Sequence, residues 1–188
     1  MTHSLDLNTW NLSNPILSSN PQIFQKGYRG FIQPTLVTGD SQNKIIMLVR
    51  PRKTDPLIPT YIHRSMSLDK GIHWNNLEPI NLLNPDSAID AINLSSNTLL
   101  LAYNRVINHL KSRNILSLAI SYDEGLNYYP IIIKNSIYPE GDIEYSNILS
   151  EEYSYPAIIM NPDNNEIHVI YTFNRINLKH KVFQLLPK

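Results

Sequence analysis

The first residues that ask for a chemical explanation are Ser67, Asp69, Gly71 and Trp74, in the stretch SMSLDKGIHWNN at 65–76. A hydroxyl, a carboxylate, a glycine and an indole at this spacing can be read as a reaction centre, a calcium loop or a turn. A calcium loop draws on about 6–8 oxygen ligands, more than this stretch offers. A turn accounts for every member. Ser and Asp two positions apart can hydrogen-bond their own backbone. Gly71 supplies a residue with φ > 0, and Trp74 a large ring to pack on a neighbouring strand. The stretch therefore predicts a stiff β-turn rather than a centre of chemistry.

Other reactive groups are scattered. His3, His63, His73, His109, His168 and His180 show no H-x-x-x-H or HExxH spacing and read as structural or surface residues. There is no G-x-S-x-G elbow and no Gly-rich phosphate loop. The chain has no cysteine, which excludes a disulfide frame and a thiolate metal site. No metal and no cofactor are expected. Glu151, Glu152, Tyr153 and Tyr155 crowd together in EEYSYP. Asp90 stands between apolar neighbours in AIDA, where a charge without a partner is costly. Lys+Arg and Asp+Glu are both 16, so no basic excess marks a nucleic-acid partner. No apolar run is long enough to span a bilayer, and the first residues show no signal-peptide pattern. The chain reads as soluble and cytoplasmic, with neither nucleic acid nor membrane as partner.

These residues need elements to hold them, and the elements read as β. Short apolar runs rich in Ile, Val, Leu and Tyr recur, among them KIIMLVR, TLLLAYN, SLAIS, YPAIIM and EIHVIYTF. Turn clusters such as GDSQN, LSSN, DEG and NPDNN separate them. In EIHVIYTF, Ile167, Val169, Tyr171 and Phe173 alternate with the residues between them, a strand period. No long segment has a helical period. The expected class is all-β: a sandwich, barrel or propeller.

Repeats narrow this choice. The S-x-D-x-G-x-x-W pattern that starts at Ser67 returns at Ser121, as Ser121, Asp123, Gly125 and Tyr128. Ser4–Trp10 reads as a third, degraded copy. Each unit runs from the box through a Pro-Ile strand and a long loop to a two-strand hairpin. A further strand then carries the next box. A four-stranded unit of roughly 50 residues is the size of a propeller blade. The expected organisation is one domain over 1–188, with units at about 1–66, 67–120 and 121–188.

S-x-D-x-G-x-x-W resembles the Asp box of sialidases and other BNR-repeat propellers. GFIQPTL, NPDSAIDAINL with LLLAYN, LSLAISYDEG, and EYSYPAII with IHVIYT, Arg175 and His180 are similar to the C-terminal half of bacterial sialidase-like proteins. The resemblance covers nearly the whole chain. It implies a six-bladed β-propeller about twice this length, of which this chain holds about three blades. It implies hydrolysis of terminal acidic sugars by an exo-α-sialidase type of glycoside hydrolase. The alternative is a non-catalytic propeller fragment binding a carbohydrate or a protein. The expected partner is an acidic sugar or glycan, with self-association or a missing N-terminal half-propeller completing the ring.

The resemblance also assigns roles. The ligand of a propeller sits where the inner strands converge. Alignment of the units puts Gln33, Asp90 and Tyr155 at equivalent starts of those strands. It puts Arg50, Asn104 and Arg175 near the ends of the second strands, and Arg64 on a third. Arginine's planar fork suits a substrate carboxylate, so Gln33, Arg50, Arg64, Asn104 and Arg175 are the expected substrate-binding residues. Sialidases use a tyrosine nucleophile whose proton a glutamate draws off. Tyr153, Tyr155, Glu152 and Asp90 are the expected catalytic set. The sequence does not choose between the two tyrosines, and it leaves Asp90 as either a channel residue or an inter-blade hydrogen-bond acceptor.

Overall fold

The computed structural model describes residues 12–20, 28–53, 59–106, 113–131 and 151–185. The regular structure among these residues is all strand. β1 (Tyr28–Thr38), β2 (Ile45–Lys53), β3 (Tyr61–Ser67) and β4 (Glu78–Leu83) form the first sheet. β5 (Asp90–Ser95), β6 (Thr98–Asn104), β7 (Leu116–Ser121) and β8 (Tyr129–Ile131) form the second. β9 (Tyr153–Asn161), β10 (Glu166–Phe173) and β11 (Asn177–Gln184) form the third. Each strand pairs antiparallel with the next in sequence. Tight turns make this possible: in NPDNN, Asn161 Oδ1 accepts the Asp163 N–H, and Asn165 takes a positive φ of 55°.

The expected alternation is what packs these sheets. In β10, Ile167, Val169 and Tyr171 are buried while the residues between them are not. Val37, Ile46, Leu48, Ile62, Ile80 and Leu82 of the first sheet meet Ala91, Leu99, Leu101, Tyr103 and Ala119 of the second. The other face of the second sheet presents Leu100, Ala102, Leu116 and Leu118 to Tyr153, Ile158, Ile167, Val169 and Tyr171 of the third. The second sheet is thus apolar on both faces, and the three stack in chain order. The outer face of the first sheet is covered by the chain itself. Ile16 and Trp74 lie on Met47, Val49 and Leu77, and Ser18 pairs with Leu77.

The starts of the three sheets converge on one carboxylate. Asp90 Oδ1 accepts from the Thr35 hydroxyl on β1 at 2.8 Å and from the Ala91 N–H at 3.0 Å. Its Oδ2 accepts the Ile158 N–H of β9 at 2.9 Å. Both oxygens of Asp90 thus tie the three sheets together, as the hydrogen-bond alternative expects.

Candidate functional site

The two repeated boxes close the third strand of a sheet onto its fourth, and they fold alike. The Ser67 hydroxyl donates to Asp69 Oδ1 at 2.8 Å and accepts the Gly71 N–H at 2.8 Å. The Ser121 hydroxyl makes the same two bonds, to Asp123 and from Gly125, at the same lengths. Asp69 also accepts the His73 N–H at 2.8 Å, and Asp123 the Asn127 N–H at 2.9 Å. Gly71 and Gly125 sit at φ of 86° and 82°. The box ends in a ring that packs: Trp74 on the outer face of its sheet, Tyr128 between the first two sheets. These are turns, as their spacing predicts. The degraded copy at Ser4–Trp10 lies outside the described residues.

The charged cluster forms elsewhere, near the starts of the first strands. Gln33 Oε1 accepts from Arg50 Nε at 2.8 Å, and Arg50 Nη1 pairs with the Asp86 carboxylate. Arg113 Nη2 donates to the Asp86 carbonyl at 3.0 Å, and its Nη1 faces Glu152 Oε1 at 3.5 Å. Arg175 Nε reaches both oxygens of Glu152 at 3.0 Å. The Ser154 hydroxyl donates to Glu152 Oε1 at 2.7 Å, and the Glu152 N–H is held by Asn174 Oδ1 at 2.7 Å. Over this network stands Tyr155, with the Arg113 guanidinium carbon 5.4 Å from its ring centroid.

Three guanidiniums therefore act on one phenol. A hydrogen bond from Arg113 and its charge, then Arg175 and Arg50, hold the Tyr155 hydroxyl below the ordinary tyrosine range. Burial works against ionisation of Glu152, but Ser154, Arg175 and Arg113 together bring its carboxyl below the ordinary glutamate range. Burial lowers the Arg50 guanidinium, and Asp86 counters it. The backbone is strained in the same place. Of the eight described non-glycine residues with positive φ, five lie here, Gln33, Asp86, Tyr155, Asn174 and Arg175, and three lie in other turns, Lys70, Glu124 and Asn165. Non-glycine residues seldom adopt this conformation. Gln33 and Tyr155 each precede a proline, where the left-handed conformation is further disfavoured. Such strain collects at functional sites.

Of the residues expected from sequence, the structure brings together Gln33, Arg50, Glu152, Tyr155 and Arg175. Tyr153 is not among them. It is 2% exposed, packs on Tyr171 and Phe173, and bonds Glu151 through its hydroxyl. Tyr155 is 44% exposed. Two positions apart on a regular strand, the two would share a face. The left-handed Tyr155 and the register shift beside it break that alternation. Asn104 is fully buried, and its amide holds the carbonyls of Tyr153 at 2.6 Å, Ile115 at 3.2 Å and Arg113 at 3.3 Å. It positions the site rather than lining it.

Three sequence expectations need correction. Arg64 lies apart from the cluster. Its Nε donates to the Glu124 carbonyl at 2.9 Å, so it joins β3 to the second turn. Asp90 faces Ala102, two residues before Asn104, whereas the left-handed Gln33 and Tyr155 lie in register shifts two residues ahead of Thr35 and Ala157. The units are therefore offset at Asp90, which takes the place of Thr35 and Ala157. Arg175 falls in the turn after β10, because Thr172 is the residue opposite Ser154, as Arg50 is opposite Ile32. Sequence reasoning missed Arg113 and Asp86. Asp86 had a local signal, as an Asp in a Pro-Asp turn. Arg113 had none, since it reaches the site from the connection between β6 and β7. Among the described residues, no three His, Cys, Asp or Glu side chains gather to hold a metal ion.

With this geometry in view, comparisons with known proteins are informative. A model of the BNR repeat-like domain matches residues 3–169. No curated protein matches the sequence. A point mutant of the NanB sialidase from Streptococcus pneumoniae superposes with a TM-score of 0.52 at 18% identity, over 73% of this chain and 19% of that one. The fructofuranosidase from Schwanniomyces occidentalis complexed with fructose superposes with a TM-score of 0.53 at 14% identity, over 92% of this chain and 37% of that one. At such identities the likeness is one of fold. The chain spans well under half the length of either structure.

Proposed function

This chain belongs to the BNR repeat-like domain family, and we propose that it is part of a sialidase-type glycoside hydrolase acting on terminal acidic sugars. In this reading the three sheets are three blades of a six-bladed propeller, and the repeated turns are its Asp boxes. One observation carries the proposal: the Arg113 guanidinium stands 5.4 Å from the ring of the exposed Tyr155 and 3.5 Å from Glu152, which Arg175 holds from its other side. A carboxylated sugar would be drawn to these cations, whose forks suit it. Tyr155 Oη would attack the anomeric carbon, giving its proton to Glu152, as the bond to the leaving oxygen breaks and that oxygen takes a proton from water. Water would then displace Tyr155, which recovers its proton from Glu152. Arg113 bridges the two, lowering the cost of the phenolate. Tyr153 has no such role because it is enclosed.

A second reading has its own observation. Asp90, one of the expected catalytic set, is committed to joining the sheets, which favours a sugar-binding module without turnover. Hydrolysis of 4-methylumbelliferyl sialoside tests both, since its phenolate leaving group departs without a proton. The enzyme reading expects turnover that Tyr155→Phe abolishes and Tyr153→Phe leaves within a few fold. Removal of Arg113 should cost roughly a hundredfold. Absence of turnover, with sialic acid binding lost in Arg113→Ala, would select the binding module. Neither turnover nor binding would overturn both.

A further inference from the structure

The stack of sheets ends in a strand without a sheet on one side and a sheet without a strand on the other. The first and second sheets have four strands each and the third has three, so β11 is its edge among the described residues. The fourth strand of each complete sheet carries a Pro-Ile pair, Pro79-Ile80 in β4 and Pro130-Ile131 in β8. The same pair recurs as Pro15-Ile16, in a segment that belongs to none of the three sheets. That segment meets the first sheet as β4 meets the second. Ile80 lies with Tyr128, the ring that ends the second box, between the first two sheets. Ile16 lies with Trp74, the ring that ends the first box, on the outer face of the first sheet. The Leu77 N–H donates to the Leu17 carbonyl at 2.7 Å and the Ser19 N–H to the Leu77 carbonyl at 3.1 Å, so the segment runs parallel to the chain entering β4. Residues 14–19 thus stand where the outer strand of a further sheet, stacked on the first, would lie. Tyr128 is 1% exposed beneath its covering sheet, whereas Trp74 stays partly exposed.

We propose that two copies of this chain close one ring of six sheets, each giving residues 14–19 to the other as the fourth strand of its third sheet. This rests on the six-blade reading proposed above, in which three sheets make half a turn. A twofold rotation then sets the third sheet of each copy on the first sheet of the other. Two observations choose a second copy. First, the strand in surplus at one end is the strand lacking at the other. One rotation satisfies both needs in both copies and leaves neither end of the stack open. Any other chain would have to combine the same surplus with the same lack. Second, the faces match. The outer face of the third sheet presents Ile159, Ile170, Leu178 and Val182 and no Lys or Arg. The outer face of the first presents Met47, Val49, Trp74 and Ile16. Residues of this kind are what the stacked sheets bury between them elsewhere.

The test is the solution mass of the full chain, by light scattering across a concentration series. The expected result is twice 21.6 kDa, falling to one chain when residues 1–19 are removed and in Ile170→Lys. Ile170 is exposed, and circular dichroism would check that each variant keeps its strands. A mixture of the two variants should recover a dimer, because the intact first sheet of Ile170→Lys meets the intact third sheet of the shortened chain. The chain has no cysteine, and Ile170→Cys should form no covalent dimer on oxidation, since the ring sets Ile170 against a first sheet and not against its own copy. A monomer at every concentration would overturn the proposal and leave both ends to blades of another chain. A dimer indifferent to removal of 1–19, a ladder of higher species, a mixture that stays monomeric, or a covalent Ile170→Cys dimer would each overturn it too. Mass is read without a substrate, so these results stand apart from the presence or absence of turnover.

Discussion

Among single residues, Tyr155 differs from the described tyrosines whose titration is perturbed by burial. Tyr103 is pushed up to about 12, and Tyr128 and Tyr171 are also raised, whereas Arg113 pulls Tyr155 below 10. An ultraviolet titration should therefore show a tyrosinate component below pH 10 that disappears in Tyr155→Phe and shifts upward in Arg113→Ala. Persistence of that component in Tyr155→Phe would assign it to another ring and weaken the case for a tuned phenol. The choice between Tyr153 and Tyr155 was closed to the sequence for a physical reason. Strand alternation puts i and i+2 on one side, and the left-handed residue that breaks it leaves no signature in EEYSYP. Arg113 was equally hidden, because its partners Asp86 and Glu152 are brought to it by packing and not by spacing.

At the scale of the element, the turns were legible because their chemistry is local. A hydroxyl, a carboxylate and a glycine within five positions determine their own hydrogen bonds. The two turns should nonetheless respond differently to mutation. A Cβ on Gly71 would meet nothing nearer than 3.7 Å, whereas one on Gly125 would lie 3.1 Å from Tyr128 Oη and 3.2 Å from Leu99 Cδ1. Gly71→Ala should cost about 1–2 kcal/mol for its left-handed backbone alone. Gly125→Ala should cost more, read as a larger drop in the urea midpoint. The first turn should also leave a mark on acid stability. Hydrogen bonds from the His73 backbone and ring, and from Ser67, bring the Asp69 carboxyl from 3.8 to about 2. A folded value below the unfolded one means stability that is complete above pH 3.8 and is lost as pH falls toward about 2. Asp69→Asn should flatten the stability profile across that window. Parallel profiles for the two proteins would refute this origin.

For the whole molecule, Asp90 is the residue to test. Its oxygens join β1, β5 and β9, so its loss is felt by all three sheets. Asp90→Ala leaves the Thr35 hydroxyl and the Ile158 N–H without their acceptor, at about 1–3 kcal/mol for each group left unpaired and buried. Asp90→Asn, which keeps one acceptor oxygen, should be milder. On the enzyme reading proposed above, sialoside turnover per folded molecule should survive Asp90→Asn; a selective collapse of turnover at unchanged stability would return Asp90 to the catalytic set. The sequence showed the strands, each of which pairs with the next, but units at about 1–66, 67–120 and 121–188 cut the sheets one strand off, because β4 and β8 close the sheet before them. It misplaced Asp90 by two residues and Arg64 by a strand's function, because how one sheet meets another depends on bulges that alternation does not reveal.

The left-handed residue before a proline occurs twice, at Gln33 and at Tyr155, in the first strand of two different sheets. One copy hands an amide to Arg50, and the other presents a phenol among three arginines. The notch is thus a socket with interchangeable contents. Two of the three sheets carry this socket, and what it displays differs by one side chain. Gln33→Tyr would be the experiment on that difference: a second phenol offered beside Arg50, on a backbone already bent to receive it.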